Sequence, residues 1–170
     1  MRRLTLLRHA NATWKESKTS DFDRPLTRLG QAEASALART LLRHQLVPDL
    51  IISSAAQRAR QTAEIVSREL SVPPNAVRYD EALYLAEPLQ ILHIAQANGP
   101  KLEHLMIVGH NPCLSGLTRL LAPNARIAEL DTATACTMTF ETPGWAEIEV
   151  GSALDARIER GEQMMPGVWP

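Results

Sequence analysis

The sequence has few cysteines and lacks any long uncharged apolar run. Its two cysteines, Cys113 and Cys136, are too few for a disulfide framework and have no paired metal-ligand spacing. The opening MRRLTLLRHA has an apolar run of only four residues before Arg8, which is too short for a signal-peptide core. No other stretch has the length and apolarity of a membrane span. We therefore expect a cytoplasmic protein with no membrane contact.

The sequence also lacks an excess of charge of either sign. It carries 18 Lys and Arg against 19 Asp and Glu, for a net charge of −1, so nothing indicates a nucleic-acid partner. Neither a Walker motif nor a dinucleotide-binding glycine fingerprint occurs. With 170 residues, 45% of them hydrophobic, the chain has the composition of an ordinary globular protein, and its length predicts one domain over residues 1–170.

Short apolar runs alternate with helix signals along most of the chain. The runs at 4–7, 50–53 and 105–108 have the length and Leu, Ile and Val content of strands buried on both faces. Each precedes a predicted helix, for which the candidate N-cap residues are Thr27, Ser54 and Asn111, with Pro112 as the first residue of the third helix. This order predicts an α/β fold with a mostly parallel sheet.

Two further features complete the predicted fold. A fourth helix begins at Pro88 and ends before Gly99. Near the C-terminus, TATACTMTF and WAEIEVGSAL are separated by Thr-Pro-Gly at 142–144, which predicts an antiparallel hairpin at the edge of the sheet. No structure is predicted for residues 159–170.

Distinctive side chains follow the three predicted parallel strands. Arg8 and His9 come after the first strand, Arg58 follows the second within one helical turn, and His110 follows the third. In an open α/β sheet, ligands bind outside the carboxyl ends of the strands. Two arginines, two histidines and two helix N-termini at one crevice predict an anion site that takes phosphate or sulfate.

The same residues indicate phosphoryl transfer. With no metal cluster in view, a neutral imidazole can accept a phosphoryl group on nitrogen and pass it to water. His9 is the favoured nucleophile because it stands beside Arg8. His110 would then donate a hydrogen bond to the phosphoryl oxygens and stabilise them together with Arg8 and Arg58.

Several motifs in this order resemble the histidine phosphatase superfamily. The resemblance covers roughly residues 3 to 155 and rests on the motifs LLRHANA, SSAAQRARQTAE and VGHNP. DFDRPLTRLGQAEA and EALYLAEP look like the short phosphohistidine phosphatase branch, the SixA type. The resemblance implies a three-layer α/β/α fold like that of phosphoglycerate mutases, with His9 phosphorylated and Arg8, Arg58 and His110 forming the phosphate pocket. It further implies no metal or organic cofactor, and a phosphohistidine-bearing protein as substrate.

The chain departs from the superfamily at two positions. Ala10 replaces a frequent glycine, a difference that the short branch commonly shows. The broad phosphatases and mutases of the superfamily carry an acid in a Leu-x-Glu motif, and Leu85 stands at its place. Nearby carboxylates at 80, 81 and 87 are expected to be solvated loop or helix-start charges. Since an alkoxide is a poor leaving group and a phosphorylated imidazole leaves more readily, the missing acid favours phosphohistidine over sugar phosphates.

Three alternatives stay open at this point. The chain could be a broad small-molecule phosphomonoesterase of the same superfamily, or a phosphate-binding interaction module without turnover. Cys113 and Arg119 have the spacing used by cysteine-dependent phosphatases, but the residues between them have the pattern of a helix. Cys113 is therefore expected to be a small apolar residue near the pocket.

Overall fold

The computed structural model describes residues 1–14 and 18–162, which form a six-stranded mixed sheet with helices on both faces. The strands are β1 (Arg2–Arg8), β2 (Leu50–Ser54), β3 (Val77–Asp80), β4 (His104–Gly109), β5 (Thr134–Phe140) and β6 (Asp155–Arg160). The helices are α1 (Arg28–Arg43), α2 (Gln57–Glu69), α3 (Pro88–Gln96) and α4 (Cys113–Leu121), with short 3₁₀ segments at Pro74–Ala76, Glu81–Leu83 and Pro123–Ala125.

The sheet has the strand order β3-β2-β4-β1-β5-β6, and its first four strands are parallel. Strand β5 pairs antiparallel with both β1 and β6. The pairing confirms the mostly parallel sheet with an antiparallel hairpin at its C-terminal edge.

Two hydrophobic cores on opposite faces of the sheet make the fold three-layered. One core contains Leu37 of α1, Ala63 of α2 and Ile51 of β2. The other contains Ile91 of α3, Leu117 of α4 and the neighbouring strand residue Ile52. Adjacent residues of β2 thus point to opposite cores, as strand geometry requires. No helix within the described residues is long and apolar enough to cross a membrane.

The predicted helix starts are correct to within a few residues, and only one predicted cap is confirmed as stated. Thr27 is the N-cap residue of α1, and its hydroxyl accepts a hydrogen bond from the Gly30 amide at 3.0 Å. The cap prediction for Ser54 is wrong, because α2 begins after Ala56, which makes no side-chain cap. Helix α4 begins one residue later than predicted, with Pro112 as the N-cap residue.

The second strand of the C-terminal hairpin lies later in the sequence than predicted. Residues 145–154 form turns and bends, and β6 follows them. Trp145 and Ile148 are buried in the core, and the Trp145 indole donates to the Leu102 carbonyl at 2.8 Å. Their apolar spacing therefore reflects loop residues anchored in the core rather than a strand.

Strand β3 has no counterpart in the predicted elements. It is four residues long, lies at the sheet edge and has a half-exposed to exposed burial pattern, so it lacks the apolar run of a central strand. The apolar spacing of the helices also predicts burial of Leu42 in α1 and Leu89 in α3, but these residues are 50% and 49% exposed. The other residues of the two apolar faces, among them Leu41 and Leu92, are buried.

The connection between β1 and α1 folds back on itself at the carboxyl ends of the strands. The Thr27 amide donates to the Asn11 carbonyl at 3.0 Å, and Ala12 forms a bridge with Leu26. Gly30 permits this close approach, since a Cβ at that position would overlap the Asn11 carbonyl oxygen. The loop thereby returns toward the carboxyl ends of the strands.

Candidate active site

The four residues predicted from strand ends lie together in the structure. Arg8 of β1 is directly opposite Gly109 of β4, so His9 and His110 emerge side by side. Their rings are 5.2 Å apart between centroids. Arg58, in the first turn of α2, donates from Nε to Nε2 of His9 at 3.2 Å. The parallel register therefore brings together residues that are up to 102 positions apart in sequence, from Arg8 to His110.

The hydrogen bonds of His9 fix its tautomer. Its Nδ1 lies 2.8 Å from the Ala10 carbonyl oxygen, which can only accept, so Nδ1 carries the proton. Nε2 then presents its lone pair and accepts from Arg58. Burial, together with Arg58, Arg8 and Arg24 and against the raising effect of the Ala10 hydrogen bond, lowers the pKa of His9 to about 4. At neutral pH this imidazole is neutral and nucleophilic at Nε2.

The hydrogen bond with Ser54 determines which nitrogen of His110 faces the pocket as a donor. Nε2 of His110 lies 2.8 Å from Oγ of Ser54, and that oxygen already accepts from the Ala56 amide at 3.3 Å. Among the described residues the Ser54 hydroxyl hydrogen has no other acceptor, so it donates to Nε2, which assigns the imidazole proton to Nδ1. Burial, then His9 and the two arginines, lower the pKa of His110 to about 3. The ring is a neutral hydrogen-bond donor toward the pocket.

A loop carbonyl positions Arg8. Its Nη1 donates at 2.9 Å to the Leu130 carbonyl, which also accepts from Nδ2 of the Asn111 side chain at 2.7 Å. The Asn111 side chain in turn accepts from the Ser115 hydroxyl at 2.8 Å. Asn111, predicted as a helix cap, therefore connects the start of α4 to the arginine of the pocket.

Two buried donors in this pocket face no acceptor. Within residues 1–14 and 18–162, neither Nε of Arg8 nor Nδ1 of His110 has a hydrogen-bond partner, although both atoms are buried. Leaving a buried donor unpaired costs about 1–3 kcal/mol. An anion with several oxygens would satisfy both atoms at once, which is the property expected of a phosphoryl site.

Asp21 is a site residue that the sequence reasoning missed. Its carboxylate accepts from the Tyr84 hydroxyl at 2.6 Å, from Nη2 of Arg58 at 3.1 Å and from Nε of Arg24 at 2.9 Å. Its carbonyl accepts from Nη1 of Arg58 at 2.6 Å. The hydrogen bond from Tyr84, with the two arginines, lowers the pKa of Asp21 to about 2.

Asp21 could not be recognised from the sequence because its partners are far away along the chain. Asp21 lies in DFDRPLTRLGQAEA, a stretch that carries part of the family resemblance, but it is 37 residues from Arg58 and 63 from Tyr84. A carboxylate in a polar loop has no periodicity that would set it apart from solvated charges. Only the folded-back β1–α1 connection shows that it faces the pocket.

Asp80 and Glu87, two of the carboxylates near the position of the missing acid, make local hydrogen bonds to the backbone. Asp80 accepts from the Ala82 amide at 2.8 Å, and Glu87 forms a capping box at the start of α3. Leu85 is 82% exposed. The Tyr84 hydroxyl donates a hydrogen bond to Asp21, which raises the pKa of the phenol. The predicted loop and helix-start roles of Asp80 and Glu87 are thus seen directly.

The structure does not support a cysteine nucleophile. Sγ of Cys113 donates to the His110 carbonyl at 2.8 Å, and burial raises the pKa of the thiol. The residues that follow it form α4, so their amides bond within the helix, and Arg119 lies exposed on that helix. A protonated buried thiol is a poor attacking group.

Comparison with known proteins relates this geometry to one family. Residues 4–83 match the histidine phosphatase superfamily, branch 1. A chloroplastic, uncharacterised protein of Arabidopsis thaliana is 34% identical over 119 residues, which are 65% of this chain; the chain spans only 54% of that protein's length.

Two solved structures match most of the chain. The first, from Agrobacterium tumefaciens, carries a provisional assignment as the phosphohistidine phosphatase SixA; it is 31% identical, covers 82% of this chain and 92% of its own, and has a TM-score of 0.73. The second is a protein histidine phosphatase SixA complexed with tungstate, 20% identical, covering 94% and 96% of the two chains with a TM-score of 0.77, a likeness in fold. These matches confirm the three-layer fold of the phosphoglycerate mutase type. The chain belongs to the histidine phosphatase superfamily, in its SixA-type branch.

Proposed function

We propose that this protein hydrolyses phosphohistidine on a protein substrate through a phosphorylated His9. A cytoplasmic location, expected from the sequence, suits such a protein partner. The proposal gives His9 the role of nucleophile and assigns the phosphoryl oxygens to Arg8, Arg58 and His110. These roles are supported by the unprotonated Nε2 of His9, whose lone pair accepts from Arg58, and by the two unpaired buried donors around it.

The reaction proceeds in two displacements. The Nε2 lone pair of His9 attacks phosphorus, and the electron pair of the breaking P–N bond returns to the nitrogen of the substrate imidazole. Water then attacks the phosphorus on His9, the electron pair of the P–N bond returns to Nε2, and the protons of the water leave with the inorganic phosphate. Pocket donors stabilise the charge spread over the three equatorial phosphoryl oxygens in each step.

The observation that carries the substrate proposal is the state of the acidic residues. Asp21, the carboxylate hydrogen-bonded to Arg58, is ionised at neutral pH, and the Tyr84 hydroxyl keeps its proton in a hydrogen bond to Asp21. Leu85, at the place of the family acid, has no proton to give. Alkyl phosphates need a proton on the departing oxygen, whereas a phosphorylated imidazole needs none on the departing nitrogen when its other ring nitrogen is protonated. Phosphohistidine is therefore the substrate class that best suits the site.

A substrate panel at pH 7 tests this proposal. Phosphohistidine in a protein, phosphoimidazole, p-nitrophenyl phosphate and an alkyl phosphate are compared by kcat/KM, with the His9→Ala variant as background. We expect the first three to be hydrolysed and the alkyl phosphate to be slowest. Efficient alkyl phosphate hydrolysis would indicate a broad phosphomonoesterase, and phosphate binding without any turnover would indicate a binding module.

A further inference from the structure

Asp21 places a negative charge beside a pocket otherwise built for an anion. Arg58 joins the two centres, since its Nε donates to Nε2 of His9 at 3.2 Å while its Nη2 donates to Asp21 at 3.1 Å. Tyr84 and Arg24 hold the carboxylate in place from the other sides. The nucleophile and the carboxylate thus lie at two ends of one guanidinium.

Asp21 holds Arg58 in place, but its negative charge is unfavourable for the phosphoryl group itself. Like charges disfavour each other, so Asp21 opposes the binding of a phosphate dianion. It cannot act as a proton donor either, because it is ionised near neutral pH. A cationic group on the substrate is what an ionised carboxylate here would favour.

We propose that Asp21 accepts a hydrogen bond from the imidazolium ring of phosphohistidine and thereby selects N-phosphoryl over O-phosphoryl substrates. This inference rests on the proposed function and deepens it. A phosphorylated imidazole has a second ring nitrogen, which can carry a proton and a positive charge. The carboxylate stabilises that protonated form in the pocket.

Protonation of the second nitrogen changes the leaving group. When His9 attacks, the P–N electron pair moves to the departing ring nitrogen, and the ring leaves as neutral imidazole because its other nitrogen already bears a proton. Without that proton the ring would leave as an imidazolate anion, a far poorer leaving group. An aryl or alkyl phosphate instead develops negative charge on oxygen, which Asp21 repels.

Three side chains face Asp21 directly. Arg24 lies on its own loop, Arg58 on α2 and Tyr84 before α3. The pKa of Tyr84 is raised above its ordinary value, and those of the pocket residues His9 and His110 are lowered to about 4 and 3. A pH effect between about 5 and 9 therefore reports on the substrate imidazole.

The substitution Asp21→Asn tests the proposal, with Asp23→Asn as the matched control. Asp23 is on the same loop, is exposed and hydrogen-bonds with Ser20. An opposite charge at close range shifts a pKa by about 1–3 units. We therefore expect Asp21→Asn to lower kcat/KM for phosphoimidazole about tenfold or more at pH 8, and to move the alkaline limb of its pH profile at least about one unit lower.

For p-nitrophenyl phosphate the same variant should lower kcat/KM much less, so that the ratio of phosphoimidazole to p-nitrophenyl phosphate kcat/KM falls about tenfold, and Asp23→Asn should alter neither substrate. An equal fall for both substrates with an unmoved pH limb would overturn the proposal, because it would show that Asp21 only positions Arg58. Asp21→Glu, which keeps the charge, should restore part of the phosphoimidazole preference. If the wild-type protein does not hydrolyse phosphoimidazole at all, the proposed function fails, and this inference fails with it.

Discussion

The two histidines of the pocket have different roles in the proposed reaction because their hydrogen-bond partners differ. The Ala10 carbonyl holds the proton of His9 on Nδ1 and leaves Nε2 as a nucleophile. Ser54 contacts Nε2 of His110 and leaves Nδ1 as a donor. Burial keeps both rings neutral near pH 7. Chemistry at the residue scale is therefore decided by single oxygen atoms adjacent to each ring.

Removing the Ser54 hydroxyl should disturb the orientation and tautomer of His110. We expect Ser54→Ala to lower kcat roughly tenfold to a hundredfold, since small misplacements of catalytic groups have effects of this size. Ser54→Thr, which keeps the hydroxyl, should recover most of the rate. Ser53→Ala is the control, because its hydroxyl donates to the Ser54 carbonyl and does not contact His110. Steady-state kinetics with p-nitrophenyl phosphate measure this effect, and an undiminished kcat in Ser54→Ala would contradict the assigned role.

Arg58→Ala should weaken anion binding while the protein stays folded. Charged hydrogen bonds contribute about 1.5–3 kcal/mol each, so tungstate affinity should fall at least about tenfold. Arg60→Ala is the matched control, because Arg60 is on the same helix and stacks 4.2 Å above the ring of Tyr79, away from the site. Calorimetric titration gives the affinities. Equal affinities in both variants would remove Arg58 from the pocket.

At the scale of elements, the parallel strands place the site and one folded-back loop completes it. The register that pairs Arg8 with Gly109 makes the positions of His9 and His110 predictable from sequence, because central strands are marked by apolar runs. Asp21 and β6 were not predictable in this way. The position of Asp21 in its loop depends on long-range contacts. Strand β6 is a polar edge strand, and the apolar spacing at 145–154, which belongs to a loop anchored in the core, predicts a strand in the wrong place. Tertiary contacts therefore decide what local patterns leave open.

The close contact at Gly30 should be intolerant of a side chain. Gly30→Ala would push a methyl group into the Asn11 backbone, just after the nucleophile. Overpacking of this kind costs about 1–3 kcal/mol, so we expect lower stability together with lower activity. Gly99→Ala is the control, since nothing lies within 4 Å of a Cβ there. Urea denaturation measures the difference, and equal stability of the two variants would contradict the close approach.

For the whole molecule, the buried histidines couple folding to pH. His9 and His104 have pKa values of about 4 and His110 of about 3, all below the ordinary 6.5. The unfolded chain therefore binds more protons than the folded chain as pH falls from 6.5 toward 4. The contribution of these histidines to the free energy of unfolding is fully present above pH 6.5 and is lost as the pH falls through this window. Asp21 adds nothing to the slope there, because its contribution is lost only as pH falls from 3.8 through about 2.

The free energy of unfolding should fall by a few kcal/mol between pH 7 and pH 5, since each excess proton contributes about 1.4 kcal/mol per pH unit. His104 lies outside the site, where it bonds with Thr5 and the Val47 carbonyl. The His104→Gln variant should show a slope smaller by about one proton, whatever its absolute stability. Urea titrations in phosphate-free buffers at constant ionic strength test this expectation. A flat profile for the wild-type protein would contradict it.

The central claim, that His9 carries the phosphoryl group, is tested most directly by trapping the intermediate. The protein is mixed with phosphoimidazole, quenched in base within milliseconds and analysed by mass spectrometry of its peptides. We predict a phosphate on His9, stable to base and labile to acid, that is absent from His9→Ala and forms more slowly in His110→Ala. Phosphate found on His110 instead, or turnover that persists in His9→Ala, would contradict the account.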